Sequence, residues 1–132
     1  MIGAGVVGGG VYQIIMNRLG GSAPTSSKKN TPIITKICVR DPAKSRDFHI
    51  DSSTTEIVTD IKSIVNDEEI DLVVEVMGGV GLAKEAVVDS LRRGKSVVTA
   101  NSKAILIVFI RLLCARNAYY LHVHYIFLLQ RL

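Results

Sequence analysis

The sequence has few residues of the kinds that build metal or redox sites. Its two cysteines, Cys38 and Cys114, form no CxxC or metal-ligand spacing. We therefore predict reduced cysteines that pack in the interior rather than a disulfide or redox pair. Among the three histidines, His122 and His124 would share one face of a strand but have no further ligands nearby. No metal site is predicted.

Acidic residues are absent from residues 105–132, which contain Arg111, Arg116 and Arg131. The net charge of +4 comes mostly from this segment, so the nearly neutral remainder gives no basic surface typical of nucleic-acid binding. Arginines also interrupt the apolar runs of the segment before they reach the roughly 18 residues that span a membrane. We predict neither a nucleic-acid partner nor a membrane partner.

The chain also has little sequence in front of its most informative motif. Only Met1 and Ile2 precede Gly-Ala-Gly-Val-Val-Gly at residues 3–8, a GxGxxG pattern in which a strand turns into a helix. Its first glycine forms the tight turn, the second admits a pyrophosphate and the third lets the helix pack closely. A strand usually has about 5–6 residues. The first strand is therefore largely missing, and we expect its neighbours to have unpaired edges.

Apolar strand patterns alternate with helical patterns along the rest of residues 1–104. Strands are predicted at residues 32–39, 54–59, 71–76 and 95–99, and helices follow the glycine motif, Asp60 and Gly79. Ile14 and Leu82 are assigned to the buried faces of the first and last helices. This alternation predicts an α/β, Rossmann-like, doubly wound parallel sheet whose first strand is largely missing.

The end of the second predicted strand bears on cofactor choice. An acidic side chain there accepts from the ribose 2′-hydroxyl of NAD, whereas an arginine pairs with the 2′-phosphate of NADP. Arg40 and Asp41 are both present, and Lys44 and Arg46 favour the phosphate. A solvated turn of mixed charge is the alternative interpretation. We predict NADP, with NAD as the alternative.

Four blocks in this order resemble the nucleotide-binding domain of the homoserine dehydrogenases: residues 3–8, 39–42, 71–79 and 94–101. The resemblance implies NAD(P)-dependent interconversion of homoserine and aspartate 4-semialdehyde, on the route to threonine and methionine. It also implies a homo-oligomer and a cytoplasmic location, with a plastid as the alternative. The implied cofactor-binding residues are Gly3, Gly5, Val6, Val7, Gly8, Arg40, Met77, Gly78, Gly79, Thr99, Ala100 and Asn101.

The sequence departs from the family pattern after residue 101. The family places a catalytic lysine directly after Thr-Ala-Asn, but here Ser102 intervenes. Either Lys103, the candidate catalytic residue, is displaced by an insertion, or Ser102 has replaced the lysine. From residue 105 the resemblance ends, so we divide the chain into a dinucleotide-binding domain at 1–104 and an atypical apolar, basic tail at 105–132. The tail is interpreted as intron-derived or frame-shifted sequence, or as the end of a truncated gene.

The family's substrate domain is also missing from the sequence. We therefore expect this fragment to be inactive as an oxidoreductase. A non-catalytic nucleotide-binding or interaction fragment is the alternative function.

Overall fold

The computed structural model describes residues 1–20, 32–79, 81–101 and 123–125. Within these residues, eight elements follow one another: α1 (Val6–Gly20), β1 (Lys36–Cys38), β2 (Glu56–Val58), α2 (Lys62–Val65), β3 (Leu72–Glu75), α3 (Gly81–Arg92), β4 (Ser96–Thr99) and β5 (Val123–Tyr125). The alternation predicted for residues 1–104 is confirmed. β1 is shorter than the apolar run at 32–39 because its partner β2 pairs with only three of those residues.

Residues 1–3 occupy the position of the first strand, between β1 and β3. Ile2 bridges Cys38 on one side and Glu75 on the other, both in parallel orientation. The amide of Ile2 donates to Val74 (2.8 Å) and its carbonyl accepts from Val76 (2.9 Å). Although the strand is short, it pairs with both neighbours. The unpaired backbone expected from its loss is therefore limited to the parts of β1 and β3 that lie beyond Met1.

The resulting strand order is β2, β1, residues 1–3, β3, β4 and β5, with every pairing parallel. The chain moves outward from residues 1–3 in one direction to β1 and β2, and then in the other direction to β3 and β4. Between residues 1–3 and β3 lies the point where the strand order reverses. Parallel α/β sheets bind ligands at this point, outside the carboxyl ends of the strands.

Helices cover both faces of the sheet. On one face α1 packs over Met1, Ile37 and Val39, and Tyr12 of α1 is 2% exposed there. On the other face α2 and α3 pack over a second buried cluster: Ile2, Cys38, Ile64, Val73, Ala86, Val87 and Val97. Alternate residues of each strand point to opposite faces, as the pleat requires. This arrangement is the predicted doubly wound architecture.

Two side chains assigned to helix cores are instead exposed. Ile14 of α1 is 57% exposed and Leu82 of α3 is 56% exposed. Tyr12 and the small residues Ala83 and Ala86 take the buried positions. Apolar periodicity alone misplaced these two side chains, because small residues allow close packing of helix on sheet and a tyrosine can be buried when its hydroxyl has a partner.

Residues 102–122 and 126–132 lie outside the described part of the chain. Within the predicted tail at 105–132, the structure describes only β5, which pairs with β4 in the register Val97 to Val123 and Thr99 to Tyr125. Cys38 is buried and makes no disulfide within the described residues, and burial raises the pKa of its thiol. Cys114 lies outside the described part.

Candidate functional site

The glycine motif joins residues 1–3 to α1 at the carboxyl edge of the sheet. Gly3 has φ of +102°, a conformation that side chains other than glycine rarely adopt. A Cβ atom at Gly3 would also lie 2.8 Å from the amide nitrogen of Met77 and from the carbonyl oxygen of Val76. Both the backbone angle and the neighbouring strand therefore require glycine at the turn.

The other two glycines of the motif differ in what surrounds them. A Cβ at Gly8 would overlap the carbonyl oxygen of Gly3, so α1 can lie this close to the strand only with glycine there. A Cβ at Gly5 would meet no protein atom within 4 Å. Gly5 therefore faces open space at the start of α1, where the carbonyl of Gly5 accepts the first helical hydrogen bond from Gly9 (2.7 Å).

A groove of about 720 Å³ opens beside this turn. Five of the predicted site residues line it: Gly3, Gly5, Val6, Arg40 and Met77. The amino-terminal end of α1 points into the same space, and the first N–H groups of a helix lack carbonyl partners. Unpaired donors and the positive end of the helix dipole favour an anion such as a pyrophosphate at this position.

The turn after β1 forms the adenosine side of this groove. Arg40 is exposed and makes no hydrogen bond or ion pair with any described residue. Arg46 donates to the carbonyl oxygens of Asp41 (2.8 Å), Pro42 (3.2 Å) and Lys44 (2.7 Å). The guanidinium of Arg46 therefore holds the turn, and its contribution to phosphate binding stays a prediction.

A loop that follows this turn is anchored to α1. The rings of Phe48 and Tyr12 lie 5.5 Å apart, and Phe48 packs so closely on Gly9 that a Cβ there would lie 2.7 Å from the ring. The hydroxyl of Tyr12 accepts a hydrogen bond from the amide of Asp51 (2.9 Å). These contacts fix the loop beside Arg40, and the glycine at position 9 permits them.

The carboxyl ends of β3 and β4 are joined by a hydrogen-bond network around Glu75. The Glu75 side chain is fully buried, and its Oε1 accepts from the amide of Met77 (2.9 Å). Its Oε2 accepts from the Thr99 hydroxyl (2.5 Å), and the Thr99 oxygen accepts from the amide of Asn101 (3.0 Å). The Asn101 side-chain amide donates to the carbonyl of Gly79. The predicted nicotinamide-side residues thus belong to two linked loops.

Not every predicted site residue reaches the groove. Val7 and Gly8 lie in the first turn of α1 but do not line it, and the Thr99 side chain is buried against Glu75. Gly78, Gly79 and Ala100 are exposed at the strand ends. Ser102 and Lys103 lie outside the described residues. Sequence reasoning did not single out Glu75, which links the two loops, although a carboxylate inside an apolar strand was a visible signal.

Two further predictions concern absences. Among the described residues, no group of three or more histidine, cysteine, aspartate or glutamate side chains could hold a metal ion. None of the helices in that part of the chain is both long and apolar enough to cross a bilayer.

Comparison with known proteins gives one consistent family. The family model described as "Homoserine dehydrogenase, NAD binding domain" matches residues 3–125. Its match extends past the boundary at residue 104 and includes β5. The division of the chain at that boundary stays a prediction.

Relatives and solved structures carry the same name. The homoserine dehydrogenase of Bacillus subtilis is 35% identical over 102 residues, and that of Mycobacterium tuberculosis is 38% identical over 107 residues. These alignments cover 76% and 80% of this chain but 22% of each relative. A crystal structure of S. aureus homoserine dehydrogenase superposes with a TM-score of 0.69 at 30% identity, covering 83% of this chain and 28% of that one.

The chain therefore spans about a fifth of the length of the curated relatives it matches. The matching family model covers most of the sequence, and the solved relative has the same fold. This chain belongs to the homoserine dehydrogenase family and forms its NAD-binding domain, a site for a nicotinamide dinucleotide.

Proposed function

We propose that this chain binds the cofactor for a homoserine dehydrogenase reaction, the NAD(P)-dependent interconversion of homoserine and aspartate 4-semialdehyde. The observation that supports this most is the open space at Gly5, next to the amino terminus of α1 and at the point where the strand order reverses. In this proposal the helix terminus binds the pyrophosphate, the turn after β1 binds the adenosine end, and the loops after β3 and β4 hold the nicotinamide.

The cofactor would supply or accept a hydride at C4 of its nicotinamide ring. The described residues bind and orient it, because none of the described loop residues 76–79, 100 and 101 has a titratable side chain. We propose that Lys103 transfers the proton at the substrate hydroxyl, because it lies next to the sequence position of the family's catalytic lysine. Ser102 could not supply that charge.

The 132-residue chain should bind a nicotinamide dinucleotide but should not oxidise homoserine, because it spans about a fifth of the length of the homoserine dehydrogenases it matches. Titration with NADPH and NADH, followed by nicotinamide fluorescence, measures binding. An assay with homoserine and both oxidised cofactors measures turnover. Binding without turnover is expected. Turnover well above background would contradict the expected inactivity, and absence of binding to either cofactor would contradict the proposed function.

Within this proposal NADP is the preferred cofactor, and Arg40 is the residue that selects it. Arg40 lines the groove with an exposed guanidinium, while Arg46 holds the turn on which it sits. Asp41 lies beside it, and its Oδ1 accepts from the amide of Ala43 (2.9 Å). The exposed guanidinium of Arg40, which has no partner among the described residues, supports a 2′-phosphate at this end of the site.

Arg40→Ala should therefore weaken NADPH binding about tenfold and change NADH binding little, because only NADPH carries a 2′-phosphate. A charge-assisted hydrogen bond contributes roughly 1.5–3 kcal/mol, and the lower end applies to an exposed arginine. Calorimetric titration of both cofactors gives the ratio. Arg93→Ala removes the same charge beside the opposite edge of the sheet and serves as the matched control. Equal losses for the two cofactors would point instead to NAD.

The remaining expectations are a homo-oligomer, a cytoplasmic location with a plastid as the alternative, and no nucleic-acid or membrane partner. A small-molecule substrate belongs to this proposal only where a substrate domain is supplied. Light scattering of the purified chain tests its oligomeric state.

A further inference from the structure

Glu75 occupies a position where a charged side chain is costly. It is 0% exposed, and no described lysine, arginine or histidine forms an ion pair with it. A buried carboxylate without a cation is stabilised only by the hydrogen bonds it accepts, and an apolar side chain of similar size would avoid the cost of desolvation. The hydrogen bonds of Glu75 therefore need a reason beyond the stability of the strand.

Those hydrogen bonds close a ring around two loops. Glu75 accepts from Met77 at the start of the loop after β3, and from Thr99 at the end of β4. Thr99 has one hydroxyl proton, which it donates to Glu75, so its oxygen accepts from Asn101. Asn101 in turn donates to Gly79, which completes the ring. Within the described residues, no buried side-chain nitrogen or oxygen lacks a partner.

Without this ring, few contacts would hold the loop after β3 in one conformation. Gly78 and Gly79 have φ of +71° and +81°, and a Cβ at either position would meet no atom within 4 Å. Glycines in open space adopt many backbone conformations at little steric cost. Glu75 and Asn101 hold the two ends of this loop, so the loops after β3 and β4 are positioned as one unit.

We propose that Glu75 is a positioning residue for the nicotinamide half of the cofactor. This inference rests on the proposed function, in which the loops after β3 and β4 hold the nicotinamide. Glu75 itself does not touch the cofactor. It acts through the Met77 amide and the Thr99 hydroxyl, which hold the loops after β3 and β4 together only while both carboxylate oxygens accept.

The test compares two ligands on the full 132-residue chain. NADPH has both halves of the dinucleotide, whereas 2′-phospho-ADP-ribose has the adenosine half and pyrophosphate without the nicotinamide. Glu75→Met removes both acceptors and roughly conserves volume. It should weaken the binding of NADPH about tenfold, as expected when one to two buried hydrogen bonds are lost. The affinity for 2′-phospho-ADP-ribose should stay within twofold of its original value. Glu75→Gln keeps one acceptor and should have a smaller effect on NADPH.

Val73→Ala is the matched control, because Val73 is equally buried on the same strand but lies outside the ring. It should lower the melting temperature without changing the ratio of the two affinities. If Glu75→Met does not fold, Glu75→Gln decides the question, because it keeps the volume and one acceptor. It should then weaken NADPH binding more than 2′-phospho-ADP-ribose binding.

Equal losses for both ligands, or no loss for NADPH in a folded variant, would overturn the positioning role of Glu75. Failure of the proposed function looks different, because the unaltered chain would then bind neither NADPH nor 2′-phospho-ADP-ribose.

Discussion

Gly5→Val is expected to abolish dinucleotide binding while the domain stays folded, whereas Gly8→Val is expected to destabilise the fold itself. At Gly5 the added Cβ meets no protein atom within 4 Å, so the side chain extends into the space proposed for the pyrophosphate. Its structural cost is limited to a poorer helix N-cap, about 1 kcal/mol or less. At Gly8 the first added carbon overlaps the carbonyl oxygen of Gly3, and the helix must move away from the sheet.

Overpacking of this kind costs about 3 kcal/mol when backbone has to shift, against a total stability of about 5–15 kcal/mol for a domain. The melting temperature should fall by roughly 10 °C or more for Gly8→Val and by only a few degrees for Gly5→Val. Circular dichroism melts and NADPH titration of the two variants measure both effects. Each variant is the control for the other, because the same side chain is added three residues away.

Unchanged NADPH affinity in Gly5→Val would remove the glycine turn from the binding site. An unchanged melting temperature in Gly8→Val would show that α1 does not need its close approach to Gly3.

The effects of Gly5 and Gly8 on binding and on stability can be separated because the two glycines have different surroundings. The GxGxxG spacing predicted three different roles, and the surroundings of Gly3, Gly5 and Gly8 differ accordingly. Motifs of this kind are readable from sequence because every step, from the turn to the helix, is local. The order of the elements was predictable for the same reason.

The partners of individual side chains were not predictable, whether they lie near or far along the chain. Arg46 has the charge of a phosphate ligand, but its partners are three carbonyl oxygens that face it only after the turn has formed. Glu75 and Thr99 are 24 residues apart, and no periodicity records that their side chains meet. Ile14 and Leu82 fit the apolar spacing of their helices and are nevertheless exposed. Each of these outcomes depends on which neighbour already fills the space.

The first strand shows a further limit of pattern reasoning. A stretch of two residues before the glycine motif is too short to be recognised as a strand, yet residues 1–3 pair with β1 and β3. Ile2 can pair as a strand residue because β1 and β3 lie in parallel on either side of it. This position also places the amino group of Met1 between them, where it donates to the carbonyl of Lys36 (2.6 Å).

In a chain that begins at Met1, stability should fall as the pH decreases from 8 to 6. Burial, the largest cause, lowers the pKa of the Met1 amine from 8.0 to about 6 in the folded state, although the field of Cys38 opposes this. Above pH 8 the amine is neutral in both states and costs nothing. Between pH 8 and pH 6 the unfolded chain binds the proton first, so the free energy of unfolding decreases, and below pH 6 the loss is complete.

A difference of two pKa units corresponds to a loss of about 2–3 kcal/mol. Urea unfolding of the 132-residue chain at pH 8.5, 7 and 5.5 measures it. The control is the same chain with an acetylated amino terminus, which cannot be protonated and keeps all three histidines, the other side chains that ordinarily titrate in this range. The carboxylates whose pKa is lowered, Asp51 and Asp67, titrate at more acidic pH and do not contribute.

Only the unmodified chain should show the decrease. A chain with several apolar residues added before Met1 should behave like the acetylated one, and it should also be more stable at every pH, because the added backbone pairs with the edges of β1 and β3 that residues 1–3 do not reach. If the unmodified and acetylated chains lose stability in parallel, the amine is not buried at the strand position, and residues 1–3 do not join the two halves of the sheet.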